Sequence, residues 1–330
     1  MAPSERGAIA LKLLVVIVNY RCAALTCDAL RSLADEVASV EPCRVVVVDN
    51  GSGDDSIATL TEFVQANRLS SFCSVVDGER NGGFSYGNNV GIRAALASED
   101  PPEYVLLLNP DTIVRKEAFV KLVQFMDAHP EVGIAGSRLE DPDGTPQRSV
   151  FRFPSILSEF EGTVHFGPIT RMLSRWTISV PVPTEEVRTD WVAGASMIIR
   201  RSVFDRVGLL DESYFMYFEE VDFCLKAAKA GWPCWYVPTS RVVHLVGQVS
   251  QVTDPKKSRK RRPTYWFESR RRYFLKNHGP AYALAADAAW LVGQALFEAR
   301  CFVQRKVNDN PARFIPDFVM QSSFVKGLSL

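Results

Sequence analysis

The chain lacks most of the short motifs that identify redox, zinc-binding and P-loop proteins. Its seven cysteines are scattered without a Cys-x-x-Cys pair, which argues against a disulfide framework and a zinc knuckle. Neither a Gly-x-Gly-x-x-Gly fingerprint nor a Gly-x-x-x-x-Gly-Lys-Ser/Thr loop occurs, so dinucleotide-dependent oxidoreductases and P-loop enzymes lose their usual sequence support. No apolar run reaches the roughly 18 residues of a membrane-spanning helix, and the N-terminus lacks the regions of a signal peptide. We therefore expect a cytoplasmic protein.

The charges of the chain are balanced in number but unevenly placed. Its 330 residues carry 38 basic and 38 acidic side chains, and 47% of the residues are hydrophobic, which is sufficient for a full globular core. Residues 256–276 hold ten lysines and arginines against Glu268 alone. Since the composition becomes polar and basic near Gly247, we predict a globular domain over 1–247 and a basic helical extension over 248–330.

The basic extension has three interpretations. Lysines and arginines beside the mildly amphipathic stretch 281–297 suit an anionic membrane surface, where each charge near the headgroups contributes about 1 kcal/mol. That surface would be the inner face of the cytoplasmic membrane, contacted peripherally. A solvated helix face is the plainer interpretation. Nucleic acid is the least favoured partner, because no recognised nucleic-acid-binding module accompanies the charges.

Apolar, β-branched runs alternate with helical patterns through the first half of the chain. This alternation is typical of a parallel sheet covered by helices, so we predict an α/β fold with a Rossmann-like, mostly parallel sheet. The run Val-Val-Val-Val at 45–48 indicates a strand buried on both faces. Strands are predicted at 13–18, 44–49, 72–77, 104–108 and 132–135, and helices at 24–38, 54–67, 86–97 and 116–129.

The middle of the chain is less regular. The sequence Asp-Pro-Asp-Gly at 141–144 is a turn signal and predicts a hairpin between 136–139 and 147–151. Residues 152–188 contain four prolines and no clear period, so we interpret them as an irregular, substrate-facing insertion. A strand is predicted to resume over 191–199.

Polar residues stand at the carboxyl ends of the predicted strands, where open α/β sheets bind their ligands. Asp49 begins a strand-to-helix turn and can accept hydrogen bonds from a base or ribose, or belong to an ordinary helix cap. The Gly-rich segment 81–89 precedes a helix, whose N-terminus attracts phosphate. Asp111 supplies oxygen ligands suited to Mg²⁺ or Mn²⁺, with helix capping as its alternative role.

An acidic cluster of Glu219, Glu220 and Asp222 opens a helix directly after the aromatic run 215–218. Aromatic side chains can exclude water from a carboxylate, and a carboxylate beside a hydroxyl can act as a general base. Glu219 and Asp222 are three residues apart and share a helix face, whereas Glu220 points about 100° away from Glu219. We therefore expect one of the three to be the base and the others to cap the helix or orient their neighbours.

Six motifs follow one another in the order found in one enzyme family. They are Val-Ile-Val-Asn-Tyr, Val-Val-Asp-Asn-Gly-Ser, Asn-Gly-Gly-Phe-Ser-Tyr-Gly-Asn-Asn, Leu-Asn-Pro-Asp-Thr, Trp-Val-Ala-Gly-Ala and Phe-Glu-Glu-Val-Asp-Phe-Cys. Together they resemble the family 2 inverting glycosyltransferases of the A-type nucleotide-diphospho-sugar transferase fold (GT-A), especially the rhamnosyltransferase-like branch. The resemblance covers residues 13–247, and six ordered motifs are specific where one would be weak.

The resemblance implies a role for each candidate residue. Glu220 stands at the second position of the family's Glu-Asp pair and would be the catalytic base, with Glu219 as the alternative. Asp111 stands where the family's Asp-x-Asp motif ends and would bind a divalent metal, Mg²⁺ or Mn²⁺, with His244 as a further ligand. The nucleotide-sugar site would be lined by Asn19, Tyr20, Asp49, Asn81, Gly82, Asn89 and Asn109.

The resemblance also implies a reaction. A sugar would move by in-line displacement from a nucleotide-diphospho-sugar donor to a hydroxyl of a saccharide or lipid-linked saccharide in cell-surface polysaccharide assembly. The branch suggests dTDP-rhamnose, and a UDP-hexose is the alternative donor. Asn109 replaces the first carboxylate of Asp-x-Asp, and Glu220 replaces the commoner Asp. These two departures leave open a non-catalytic scaffold that binds nucleotide-sugars.

Overall fold

The structure is a computed structural model that describes residues 10–245, 260–308 and 310–330. Its first half follows the predicted alternation, and the predicted strands and helices up to residue 129 differ from it only at their ends. The elements are β1 (Leu13–Asn19), α1 (Ala23–Ser39), β2 (Cys43–Asp49), α2 (Ser56–Ala66), β3 (Cys73–Asp77), α3 (Gly83–Leu96), β4 (Tyr104–Leu108), β5 (Thr112–Val114) and α4 (Ala118–Ala128).

The second half mixes short strands with helices and ends in four helices. Its elements are β6 (Ile134–Glu140), β7 (Val150–Phe151), α5 (Ile156–Val164), α6 (Gly167–Met172), β8 (Val187–Thr189), β9 (Trp191–Val192), β10 (Ser196–Arg200), α7 (Arg201–Val207), α8 (Glu219–Lys229), β11 (Cys234–His244), α9 (Thr264–His278), α10 (Pro280–Gln304), α11 (Phe314–Gln321) and α12 (Ser323–Lys326).

Within the described residues, nine strands form one mixed sheet. Their order is β3-β2-β1-β4-β10-β6-β11-β5, and β8 pairs with β11. The strands from β3 to β4 are parallel, and β10 runs antiparallel between β4 and β6. The α/β fold with a helix-covered, mostly parallel sheet is therefore confirmed, and the carboxyl ends of β1, β2 and β4 meet at one edge.

The strands of the parallel half are apolar throughout because helices cover both faces of the sheet. In β1, Leu13, Val15 and Ile17 belong to one apolar core, whereas Leu14 and Val16 belong to a second core on the opposite face. This division follows from the period of two along a strand. It explains why the apolar runs show no polar alternation.

The prediction for 132–151 needs correction. The strand predicted at 132–135 and the hairpin arm predicted at 136–139 are one continuous strand, β6, and the turn between Asp141 and Gly144 follows it. The return segment contacts β6 only briefly, since Gln147 N–H donates to the Leu139 carbonyl and β7 then pairs with β9.

Two other irregular segments also differ from their prediction. The insertion 152–188 contains the helices α5 and α6 and the strand β8. The strand predicted over 191–199 is broken, because Ala193, Gly194 and Ala195 leave the sheet between β9 and β10. These three residues line a cavity, so the break in the strand contributes to the cavity wall.

The C-terminal helices pack against the body of the protein. Residues of α8, α9 and α10 share an apolar cluster that includes Leu225, Tyr273, Phe274 and Ala283. The prediction that the C-terminal extension is helical is confirmed. The boundary predicted near Gly247 lies outside the described residues.

A buried arginine joins three of these helices. Arg270 of α9 is 2% exposed, and it donates to Glu159 of α5 at 2.7 Å and to Asp287 of α10 at 2.5 Å. Loss of one partner would leave an uncompensated charge in the interior, which costs about 3–5 kcal/mol in comparable sites. The insertion and the C-terminal helices are therefore parts of one folded unit.

The basic cluster at 256–276 is only partly available to a surface. Lys256, Lys257 and Arg259 lie outside the described residues. Arg270 is buried, and Lys276 donates to Asp211 and Asp222 at 2.7 Å each. Among the helices that the structure describes, none has the length and apolar character needed to cross a membrane.

Candidate active site

Seven of the twelve predicted site residues meet around one cavity of 440 Å³ at the carboxyl ends of the parallel strands. These seven are Tyr20, Asn81, Asn109, Asp111, Glu219, Glu220 and His244. The other lining residues are Val18, Asn50, Gly83, Phe84, Pro110, Ala193, Gly194, Ala195, Phe215, Met216, Tyr217 and Tyr265. A wider hollow of 570 Å³ beside Trp232 is lined by none of the predicted site residues. The cavity at the strand ends is therefore the candidate active site.

One wall of the cavity carries Asp111 and His244. Asp111 follows β4 and precedes β5, which pairs with the end of β11, and this pairing brings His244 to the same place. An oxygen of Asp111 lies 3.5 Å from Nε2 of His244, and the Asn109 amide lies 3.4 Å from the same nitrogen. The three side chains thus form one polar cluster, and Asp111 is only 4% exposed.

This cluster provides part of a metal-binding set. A carboxylate, an imidazole and an amide oxygen are ligands that Mn²⁺ accepts, and Mg²⁺ accepts the oxygens. Within the described residues, no group of three or more His, Cys, Asp and Glu side chains could hold an ion unaided. A divalent ion held by Asp111, His244 and Asn109 would need further ligands from water or from a phosphorylated ligand, as Mg²⁺ usually takes in nucleotide sites.

A second wall carries the carboxylates of Glu219 and Glu220. They are the first two residues of α8, so both project at the N-terminal end of the helix, and Glu219 is 4% exposed. Each carboxylate has one buried oxygen without a hydrogen-bond partner. Both carboxylates line the cavity, because at a helix end neighbouring side chains can reach the same space even when they leave the helix in different directions.

The two carboxyls differ in how readily they ionise. Burial raises the pKa of Glu220 to about 7. Burial, with the charge of Glu220 added, raises the pKa of Glu219 well above its usual range. Both shifts favour the protonated carboxyl, and a pKa of about 7 allows Glu220 to accept and to release a proton near neutral pH. Two adjacent carboxyls with separated pKa values are a common arrangement where acid and base chemistry takes place.

The backbone before α8 is held in an uncommon conformation. Tyr217 and Phe218 have φ angles of 69° and 67°, in the left-handed region that bulky residues avoid. The ring of Phe218 lies 5.6 Å from that of Tyr273 and 6.2 Å from that of Trp266, both in α9. Strain of this kind costs of order 1–3 kcal/mol per residue and persists where packing enforces it. Here α9 enforces the bend that turns Glu219 and Glu220 into the cavity.

Asp222 does not belong to the cavity, and its assignment as a catalytic candidate is corrected. Its side chain is 1% exposed and accepts hydrogen bonds from Lys276 and Asn277 at 2.7 Å each. The hydroxyl of Tyr214 lies 3.3 Å away and donates to the same carboxylate. Asp222 therefore fastens α8 to α9.

Asn19 and Asp49 lie beneath the cavity. The Asn19 amide donates to Asp49 at 2.7 Å, and Ser52 donates to the same carboxylate from its hydroxyl at 2.6 Å and from its backbone N–H at 3.0 Å. Asn19 and Asp49 are 0% and 2% exposed, so this network fixes the turn after β2. Asn50, the next residue, lines the cavity and donates to the Gly83 carbonyl at 3.0 Å.

The Gly-rich segment contributes only some of its residues to the cavity. Asn81 lines it, and its side chain accepts from the N–H of Gly83 at 3.1 Å. Gly82 packs under a tyrosine ring, where a Cβ would lie 2.4 Å from Tyr86 Cγ. Asn89 is buried and exchanges hydrogen bonds with the backbone of Leu210, so it orders the loop that leads toward α8.

Sequence reasoning missed two parts of the wall. Ala193, Gly194 and Ala195 lie within the strand predicted over 191–199, and their small side chains are the one local signal of a cavity wall. Gly194 lies so close to Phe84 that a Cβ would stand 2.9 Å from its ring. Tyr265 comes from α9, within the basic segment, and no local pattern distinguishes it. Its ring lies 5.3 Å from that of Phe215.

The sequence matches the model of one known protein family. The model of glycosyl transferase family 2 matches residues 14–207, more than half of the chain. The chain belongs to this family. The matched region of the glycosyltransferase ends with α7, so Glu219, Glu220 and His244 follow it.

Individual relatives agree with the family. The glycosyltransferase is 30% identical over 221 residues to the N-acetylglucosaminyl-diphospho-decaprenol L-rhamnosyltransferase of Mycobacterium tuberculosis, covering 63% of this chain and 68% of that protein. It is 25% identical over 240 residues to the dTDP-rhamnosyl transferase RfbF of Shigella flexneri, covering 71% and 69%.

A solved structure supports the fold. The mannosyltransferase PcManGT of Pyrobaculum calidifontis, determined with GDP-Man and Mn²⁺, superposes with a TM-score of 0.53 at 14% identity. The match covers 95% of the glycosyltransferase and 85% of the mannosyltransferase. At this identity the likeness concerns the fold alone.

Proposed function

We propose that this glycosyltransferase moves L-rhamnose from dTDP-rhamnose to a hydroxyl of a saccharide or lipid-linked saccharide, with inversion at the anomeric carbon. The observation that carries the proposal is that the carboxyl pair Glu219 and Glu220 shares one cavity with the cluster of Asp111, His244 and Asn109. The donor is inferred from the names of the rhamnosyltransferase relatives, two of which are 30% and 25% identical.

Glu220 is the proposed base. Its carboxylate takes the proton of the acceptor hydroxyl while that oxygen forms a bond to the anomeric carbon, and the bond from that carbon to the diphosphate breaks on the opposite side. A pKa of about 7 suits this role, because the group is largely ionised just above neutral pH yet retains basicity. Burial and the charge of Glu220 raise the pKa of Glu219, which disfavours a second negative charge beside Glu220.

Asp111 and His244, with the amide of Asn109, are the proposed metal-binding residues. A bound Mg²⁺ or Mn²⁺ would neutralise the charge that grows on the leaving diphosphate. Tyr20, Asn50 and other cavity residues near the ends of β1 and β2 would receive the nucleoside. Asn19 and Asp49 would shape that wall from beneath, since their polar atoms are already engaged with each other and with Ser52.

Nucleotide binding tests the donor. Thermal unfolding would be followed with dTDP, UDP and GDP, each with and without Mn²⁺, because a ligand at about 100 times its dissociation constant adds about 2.7 kcal/mol. We expect the largest metal-dependent shift with dTDP. A larger shift with UDP would replace rhamnose by a hexose donor, and no shift with any nucleotide would contradict a nucleotide-sugar donor.

Transfer by variants tests the base. Glu220→Gln should retain the dTDP shift and lose transfer by about 10²–10⁴-fold, the usual contribution of a general base. Glu62→Gln, an exposed position on α2, is the matched control and should transfer at the normal rate. Normal transfer by Glu220→Gln would remove Glu220 from the role.

We also propose that the C-terminal region rests on an anionic membrane surface. The exposed face of α10 is apolar, and Glu298 is the one charged residue among its exposed positions. Val292, Leu296, Phe302 and Val303 are 54%, 48%, 87% and 79% exposed. Arg305 and Lys306 follow at the end of this face. An apolar helix face with cations beside it suits an interface of lipid chains and anionic headgroups.

Vesicle flotation tests this surface. The protein should float with vesicles that contain phosphatidylglycerol and less with pure phosphatidylcholine. Replacing both Phe302 and Val303 by Ser should reduce flotation on anionic vesicles. Equal flotation of this variant and the unaltered protein would exclude the α10 face, and equal flotation on both lipids would exclude the electrostatic part.

A further inference from the structure

A second, smaller cavity adjoins the candidate active site. It has a volume of 230 Å³ and lies between α9 and the C-terminal segment. Phe215 and Tyr265 line both cavities, and their rings are 5.3 Å apart. The two cavities therefore adjoin one another, with this pair of aromatic side chains in the wall of both.

The second cavity has an excess of positive charge. Arg271, Arg272 and Lys326 line it, against the single carboxylate side chain of Glu268. In the described part of the chain, no carboxylate pairs with any of the three cations. Elsewhere in the same region, Arg261 and Lys276 each have a carboxylate at 2.6–2.7 Å. The positive charge at this cavity is therefore not neutralised by ion pairs within the described residues.

One of these cations is placed and incompletely satisfied. The guanidinium of Arg271 donates to the carbonyl oxygens of Gly327 and Ser329 at 3.2 and 3.0 Å, which fixes its position. Its Nε is buried and has no hydrogen-bond partner. A buried donor on a charged group is costly unless something accepts from it. An anion in the cavity would supply that acceptor, and phosphate oxygens match the planar fork of arginine.

Exposed apolar side chains stand beside this cationic cavity. Phe324 and Val325 of α12 directly precede Lys326 and are 53% and 52% exposed, and Leu328 and Leu330 are 45% and 61% exposed. A free phosphate ion has no apolar part that could contact these side chains. An anion attached to an apolar chain would contact the cations of the cavity through its charge and the exposed side chains through its apolar chain.

We propose that the second cavity binds the phosphate groups of a prenyl diphosphate, the carrier part of a lipid-linked acceptor. The proposal rests on the proposed function, in which the acceptor sugar must reach Glu220 past Phe215 and Tyr265. The apolar chain of the carrier lies along the exposed side chains of 324–330. This arrangement places the diphosphate of the acceptor on the opposite side of the aromatic pair from Asp111, while the acceptor sugar enters the first cavity.

Binding of farnesyl diphosphate, measured by titration calorimetry on the full chain, tests the proposal. A chelator is present throughout, so that a metal-dependent diphosphate site near Asp111 does not contribute. Arg272→Gln and Lys326→Gln should each weaken binding by about 10- to 100-fold, the usual effect of losing a charged hydrogen-bond donor. Both residues lie at the surface of the fold, so these variants should unfold at the normal temperature. Arg44→Gln, at an exposed position of β2, is the control for charge alone.

Each other outcome overturns the proposal in a recognisable way. Equal binding by Arg272→Gln, Lys326→Gln and the unaltered protein would show that the cavity is not the site. Equal affinity for inorganic diphosphate would remove the apolar chain from the recognition. A response of anionic vesicles, but not of farnesyl diphosphate, to Arg272→Gln would assign the cavity to membrane headgroups.

The nucleotide test separates this proposal from the proposed function. Binding of farnesyl diphosphate that depends on Arg272, without any nucleotide response, would sink the proposed function alone. A metal-dependent dTDP response with no binding of farnesyl diphosphate would sink the present proposal alone.

Discussion

Replacing Glu220 by Gln should make the folded protein more stable at alkaline pH even though it removes transfer. Burial raises the pKa of Glu220 from its usual 4.5 to about 7. A carboxyl with a raised folded pKa contributes stability that is fully present below pH 4.5 and is lost as the pH rises through about 7. Above that pH the fold contains a desolvated carboxylate, and glutamine has nearly the same shape without the charge.

The size of the effect follows from the two pKa values. At pH 8 the difference between 4.5 and about 7 corresponds to about 3 kcal/mol of lost stability, since one pH unit is worth about 1.4 kcal/mol. At pH 5 the folded protein keeps the proton, and the loss is only about 1 kcal/mol. The advantage of Glu220→Gln should therefore grow by about 2 kcal/mol between these two pH values. The substitution also removes a negative charge beside Glu219, which further favours the stability of the variant at high pH.

Urea unfolding of the unaltered protein, Glu220→Gln and Glu62→Gln at pH 5, 6, 7 and 8 measures this difference. The Glu62→Gln variant should follow the unaltered protein at every pH. In parallel, transfer by the unaltered protein should rise with pH through about 7, because Glu220 must lose its proton to act as a base. A stability difference that does not change with pH, or a Glu220→Gln variant that is less stable at pH 8, would refute the reasoning.

Three further predictions concern the frame of the site. Gly83→Ala should destabilise the fold by more than about 2 kcal/mol in urea unfolding, because its φ is +82° and a Cβ would lie 1.8 Å from a backbone carbonyl oxygen. Gly162→Ala, with nothing within 4 Å of the added atom, should change stability by less than about 1 kcal/mol, and equal effects would contradict the argument. Lys276→Met should cost about 2–4 kcal/mol in the same assay, because it leaves a carboxylate that is 1% exposed without its cation, and an unchanged midpoint would show that the link adds nothing. Asp111→Asn should lose the Mn²⁺-dependent part of the dTDP thermal shift while the unliganded protein unfolds normally, and a full shift would exclude Asp111 as a ligand.

The sequence predicted the parallel half of the fold well because its signals are local. The run of valines in β2 and the Gly-rich segment at the start of α3 each favour their own local structure. The family motifs indicate the order of these elements along the chain. Of the polar residues at strand ends, Asn109 and Asp111 line the cavity, whereas Asn19 and Asp49 lie beneath it, since parallel strands end at the same edge of the sheet. Asp111 and His244 meet for a different reason, the pairing of β5 with β11, which only the family resemblance could suggest.

The rest of the site depends on packing between distant segments. Asp222 looks like a catalytic carboxylate in sequence, and only the positions of Lys276 and Asn277 on α9 show that it fastens two helices. Tyr265 enters the cavity wall from the same helix, with no pattern around it that differs from a solvated face. The projection of Glu219 and Glu220 into one space depends on the left-handed backbone of the two residues before them, which no propensity favours.

The buried arginine of α9 also constrains the order in which the protein can be completed. Glu159 precedes Arg270 by 111 residues, which the ribosome adds in about 5 to 20 s at about 5 to 20 residues per second. The parallel half of the sheet needs no residue from this later segment and can form during that time. The insertion that contains α5 must wait for α9 and α10, because its carboxylate becomes a stable interior group only when the guanidinium arrives. Final assembly of the wall around Glu220 therefore follows the synthesis of α9 and α10.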